Sequence, residues 1–71
     1  MNIYLLPVCY PDEFPIILKR AATSFQDAQD RFAKSIIEAM DWDLDMSLDE
    51  LREYAEKKGC LIGEVNDIED F

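Results

Sequence analysis

The apolar positions of this chain change period along its length, and each change marks an element. In Asn2–Tyr10 the residues Ile3, Tyr4, Leu5, Leu6, Val8 and Tyr10 are β-favourable and carry no helical repeat, which predicts a strand. Pro7 cannot donate to a ladder, so this strand is expected to carry an edge or a bulge near its middle. Pro11-Asp12-Glu13 reads as a turn, with proline supplying the fixed φ of the first central position. A second strand follows in Phe14–Ala22, with Ile16 and Leu18 on one side and Ile17 and Lys19 on the other. The short connection makes the pair an antiparallel hairpin.

The period then lengthens. Phe25, Ala28, Phe32, Ile36 and Met40 recur at steps of three and four, and Ala33 and Ile37 widen the stripe. Gln26, Asp27, Asp30, Lys34 and Glu38 fill the opposite side, so Ser24–Met40 is an amphipathic helix. Thr23-x-x-Gln26 and Ser24-x-x-Asp27 both have capping-box spacing at its start. Aspartates break the pattern at Asp41-Trp42-Asp43-Leu44-Asp45-Met46, and the helix should end between Met40 and Asp43. Ser47-x-x-Glu50 is another capping box, Met46 and Leu51 have the spacing of a hydrophobic staple, and a second helix is expected over Leu48–Lys58. Lys57 and Lys58 suit the negative end of its dipole, and Gly59 its left-handed stop. Cys60–Val65 reads as a short third strand and Asn66–Phe71 as an acidic C-terminal tail.

The expected architecture is therefore a single α+β domain over residues 1–71, a small two-layer ββααβ fold in which an antiparallel hairpin plus a third strand is packed by two helices. Phe25, Phe32, Ile36 and Leu51 should be nearly buried. A core this small contributes only ~3–5 kcal/mol of net stability, and an open sheet leaves edges and one face bare, so a homodimer is expected.

Charge changes the picture. Residues 1–35 carry four acids against four bases, whereas residues 36–71 carry twelve acids against Arg52, Lys57 and Lys58, which accounts for the whole net charge of −9. Solubility alone asks for only ~2–8 net charges with both signs interspersed. A one-sided acidic field repels nucleic acid and attracts basic surfaces.

The chemical inventory is thin. There is no histidine, so neither a Ser-His or Cys-His pair nor an imidazole acid–base exists. Two cysteines without histidine cannot close a tetrahedral zinc site, and two glycines make no phosphate-binding loop. A carboxylate pair could do glycosidase-type chemistry, but that needs a deep cleft. The expectation is a non-enzymatic protein without cofactor or metal. Cys9 and Cys60 read as two small apolar residues in a reducing compartment. The start lacks a basic region, and Pro7 breaks the short apolar run Ile3–Cys9. No window approaches the ~20 apolar residues of a membrane span. Together these features predict a soluble cytoplasmic chain.

The densest chemistry lies in residues 38–56, with eight acids against Arg52 alone. Asp41, Asp43 and Asp45 sit where a calcium loop has its first ligands. Such a loop needs glycine at its sixth position and glutamate at its twelfth, and here these are Met46 and Arg52. If the segment is extended, residues two apart project to one side at ~6.6 Å. Asp41, Asp43 and Asp45 then form a carboxylate row anchored by Trp42, Leu44 and Met46. Glu38 precedes the row, and Asp49, Glu50, Glu53 and Glu56 continue it along the second helix, a line of charge like a nucleic-acid backbone. The bland alternative is a solvated helical face with acids at a helix start. Tyr4, Tyr10, Phe14, Trp42, Tyr54 and Phe71 exceed what one small core can cover, and exposed aromatics often anchor interfaces.

The residues expected to engage a partner are thus Glu38, Asp41, Trp42, Asp43, Asp45, Asp49, Glu50, Glu53 and Glu56. The expected partner is a basic nucleic-acid-binding protein, without direct binding of nucleic acid or membrane. Size, charge and the lack of catalytic equipment are analogous to the acidic inhibitors of phages and mobile elements, anti-CRISPR proteins and DNA mimics among them. Those proteins share no common fold, so the analogy transfers no residue. The alternative is a homodimeric adaptor or regulatory module that binds through its sheet face.

Overall fold

The computed structural model describes residues 1–68. The elements run β1 (Asn2–Cys9), β2 (Ile16–Ala22), α1 (Phe25–Met40), α2 (Leu48–Lys57), β3 (Leu61–Ile62) and β4 (Asn66–Asp67). β1 is the central strand. β2 pairs antiparallel with it along Val8↔Ile16 to Asn2↔Ala22, and the other edge of β1 is shared by β3, at Val8 and Cys9, and β4, at Tyr4 and Leu5. The expected α+β domain of two layers is present, with its hairpin and third strand.

The hairpin forms where Pro11 and Asp12 turn the chain. Glu13 N–H donates to Tyr10 O at 3.2 Å, and Asp12 takes φ 60°, as the third residue of such a turn requires when its φ is positive. α1 begins at Ser24, whose Oγ accepts from Asp27 N–H. The Asp27 carboxylate accepts from Thr23 N–H at 3.0 Å, Thr23 Oγ1 at 3.2 Å and Arg31 Nε at 3.0 Å. These bonds, led by the Thr23 amide, hold its pKa below the usual carboxylate range. α2 begins at Ser47, which accepts from Glu50 N–H, and the chain leaves it through Gly59 at φ 86°.

One face of the sheet meets the helices. Tyr4, Leu6, Val8 and Ala22 are buried on it, against Ala28, Phe32 and Ile36 of α1 and Leu48, Leu51 and Ala55 of α2, with Cys60 closing one end. Arg20 lies on the same face and donates from Nε to Ser35 Oγ of α1 at 3.2 Å. Phe32, Ile36 and Leu51 are fully buried as expected. Phe25 is not. It is 51 % exposed: it is the first residue of α1, and its ring meets that of Tyr4 in a T-shaped contact, centroid to centroid 6.3 Å.

The C-terminal end departs from the expected single third strand and tail. β3 stops after Ile62, and Asn66–Asp67, expected to begin the tail, return to the sheet. Pro7 explains the interruption. Its carbonyl accepts from Gly63 N–H at 2.8 Å, so its backbone polar edge faces the β3–β4 side, where proline has no N–H to offer. The expected defect of β1 therefore lies on that one edge, and the pairing with β2 continues undisturbed. Residues 69–71, including Phe71 and the end of the expected acidic tail, lie outside the described residues.

Candidate protein-binding surface

The acidic stretch begins where α1 stops. Asp41 adopts the left-handed conformation, φ 56° and ψ 38°. Its N–H donates to Glu38 O at 3.2 Å, and Trp42 N–H donates to Ile37 O at 3.1 Å. This is the paired bonding of a Schellman stop, with aspartate in the position that glycine usually holds. The motif turns the chain sharply, so the following residues leave the helix axis.

Residues 41–46 then alternate. Asp41, Asp43 and Asp45 are exposed, while Trp42, Leu44 and Met46 are half-buried against the core. The Trp42 ring meets Tyr54 of α2 edge-on, centroids 5.0 Å apart at 87°, and Lys58 Nζ lies 5.5 Å over the Tyr54 ring. The apolar side of the segment is thus pinned to α2, and its carboxylates face outward. Trp42, expected among the partner-binding residues, is placed as an anchor of this segment rather than as a free aromatic.

The segment and α1 enclose a surface groove. Ile37, Leu44 and Met46 supply apolar lining, and Glu38, Asp45 and Glu50 stand around it. Along α2 the acids continue: Glu50 and Glu53 flank Met46 and Tyr54, and Glu53 and Glu56 flank Lys57. Five of the expected residues, Glu38, Asp45, Glu50, Glu53 and Glu56, therefore share neighbouring depressions. Asp41 and Asp43 lie on the loop that leads into them.

Two of the expected residues have structural partners. Asp49 accepts from Arg52 Nη1 at 2.8 Å, and Glu50 shares the Ser47 hydroxyl at 3.2 Å in the capping box. Among the described residues, no cation pairs with the side chains of Glu38, Asp41, Asp43, Asp45, Glu53 or Glu56. Arg52, the one base in this stretch, turns away from the groove and donates from Nε and Nη2 to Gly63 O. It therefore leaves most of the acidic field unneutralised. Lys34, outside the expected set, lines the groove from α1 and adds one positive charge to it. Its place on the polar side of α1 was legible, but its proximity to Asp45 depends on how the loop folds back.

Among the described residues no three Cys, Asp or Glu side chains converge to hold a metal ion. No helix there is long and apolar enough to cross a membrane. Cys60 is buried with its thiol pKa pushed up, first by burial and then by the charge of Cys9. Cys9 is half-exposed, and both thiols are free. No family model, curated protein or solved structure matches the chain.

Proposed function

We propose that this protein is a small, non-catalytic acidic inhibitor that engages a basic, nucleic-acid-handling protein through the surface built by residues 38–56. The observation that carries the reading is the alternation of residues 41–46. Its apolar half is anchored to the core and to Tyr54, and its carboxylate half stands exposed, with no salt bridge to Asp41, Asp43 or Asp45 among the described residues. A one-sided acidic field costs stability through self-repulsion, while it attracts basic surfaces. Asp41 adds to this. An acid occupies a left-handed position that glycine fills without steric cost. A partner's Lys and Arg side chains would meet the carboxylates through charge-assisted hydrogen bonds, with arginine favoured for its planar fork. The inhibitors of phages and mobile elements that act in this way are the functional analogy.

The test is capture of a basic protein followed by competition. The partner should bind at ~0.1 M salt and be released as salt rises towards ~1 M, where the Debye length falls from ~10 to ~3 Å. Added duplex nucleic acid should release it too, since both would occupy one site. Exchanging Asp43 and Asp45 together for lysine should abolish capture and leave thermal stability equal or higher. If the double exchange unfolds the chain, the aspartates are structural and the reading fails. If capture survives both salt and the exchange, the acidic surface is only solvated.

A further inference from the structure

The face of the sheet turned away from the helices is uncovered and apolar. By register, Ile3, Leu5, Pro7 and Cys9 of β1 share it with Ile17 and Ala21 of β2 and with Leu61 of β3. Ile17 is 60 % exposed and Leu61 56 %, and Phe14, 90 % exposed, lies just before β2. Contiguous apolar surface of this kind on a small protein marks an interface. Among the described residues of β1, β2 and β3, the only ionic side chain on this face is Lys19, opposite Leu5.

We propose that a second copy of this chain packs on this face, with the two-fold axis running along β1. Charge selects the occupant. A chain of net charge −9 can meet its own copy favourably only through a surface free of carboxylates, and the described residues of β1, β2 and β3 put none on this face. The Cα envelope is 17 Å across its shortest axis. Back-to-back packing therefore leaves the two acidic helical surfaces on the order of 30 Å apart, about three Debye lengths at 0.1 M salt. Charge also selects the axis. A two-fold perpendicular to the strands would stack β2 on β2 and bring Lys19 against its own copy. The axis along β1 instead lays each β2 over the partner's β3 and β4, so Lys19 approaches Glu64, which stands beside the opposite edge with its side chain 88 % exposed and 3.8 Å from Arg52 of its own chain. Edge-to-edge pairing of β2 is the competing arrangement, and the bases Lys19 and Arg20 on that strand oppose it. The face measures ~24 Å along seven residues and ~14 Å across three strand positions, about 340 Å² per copy and roughly 700 Å² in total, the size of a weak, transient contact. The dimer is therefore expected to be weak and concentration-dependent.

Sedimentation equilibrium of the full chain between about 1 and 500 µM tests this. The expected result is a monomer–dimer equilibrium. Ile17→Lys with Leu61→Lys should raise the dissociation constant at least tenfold while circular dichroism stays unchanged. That exchange lowers the net negative charge, so general repulsion cannot explain the loss. Lys19→Glu should weaken the dimer, and adding Glu64→Lys should restore it. Should the apolar double variant fail to fold, the Lys19 and Glu64 exchange carries the test alone. A monomer at 500 µM overturns the proposal, as does a dimer that survives the apolar double variant, because the contact would then lie at the β2 edge. A charge swap without rescue overturns it too.

Discussion

The guanidinium of Arg52 holds the carbonyl of Gly63 with two nitrogens, Nη2 at 2.9 Å and Nε at 3.3 Å. Gly63 in turn donates its N–H to Pro7 O at 2.8 Å, so one base on α2 fastens the β3–β4 turn to the break in β1. Arg52 also reaches Asp49 at 2.8 Å and lies 3.8 Å from Glu64. Arg52→Ala should lower the unfolding free energy by about 1.5–3 kcal/mol, the scale of hydrogen bonds from a charged donor. Arg52→Lys should recover only part of it, since an ammonium lacks the fork. Urea denaturation measures both. A loss below about 0.5 kcal/mol for the alanine variant would make the contact an ordinary surface pair.

Gly63 and Gly59 should fail for different reasons. A Cβ on Gly63 would meet Pro7 O at 3.2 Å and Pro7 Cβ and Cδ at 3.3 Å, atoms of a strand that cannot swing aside. Gly63→Ala should cost about 1–3 kcal/mol through overpacking, and Gly63→Asn more. At Gly59 the nearest atoms, on Pro11, are at ordinary contact distance, but φ is +86°. There Gly59→Asn should be the milder change and Gly59→Ala the worse, because asparagine tolerates the left-handed region. Thermal melts of the four variants read the reversal directly.

Asp41→Gly should raise stability by up to about 1 kcal/mol, since glycine takes φ 56° without the steric cost. The gain is moderated by glycine's larger entropy loss on folding. Asp41→Val should destabilise the chain, as a β-branched residue is a poor fit to that conformation. If the glycine variant is more stable and also binds the basic partner less well, the aspartate is there for its charge. A glycine variant that is less stable would show that the carboxylate itself supports the stop.

Alkaline pH should weaken the fold through Cys60 and Tyr10. Burial pushes both pKa values up first; the charge of Cys9 then raises Cys60 further, and that of Cys60 raises Tyr10. A group whose folded pKa is raised gives stability that is full below its unfolded pKa and is lost as pH rises through the folded one. With an unperturbed thiol near ~8.5, denaturation midpoints should hold to about pH 8 and then fall. Cys60→Ala should flatten that slope and cost stability at pH 7 through the lost packing. An identical slope in the variant would assign the alkaline loss to other groups.

Periodicity, turn residues and capping spacings determined the hairpin and both helices, and narrowed the start of the first helix to Thr23 or Ser24, because those signals are local. The stripe through Phe32 and Ile36 repeats with the helix turn, and Ser24 and Ser47 cap from a fixed offset. The outward carboxylates of residues 41–46 were legible for the same reason, since an extended chain alternates sides whatever surrounds it. Tertiary structure decided what local pattern cannot carry. Strands of two residues have no period, so β4 emerged only from the edge that Pro7 and Gly63 leave for it on β1. Phe25 has the spacing of a core residue and is half-exposed, because spacing shows which side of a helix faces the core and not how much of its length is covered. Arg52 reads as the lone counter-charge of the acidic stretch, yet of its acids it pairs with Asp49 alone and turns its other two nitrogens to Gly63, eleven positions away. Which carboxylates stay unpaired is settled by that long-range contact, as charge composition is one-dimensional and pairing is not.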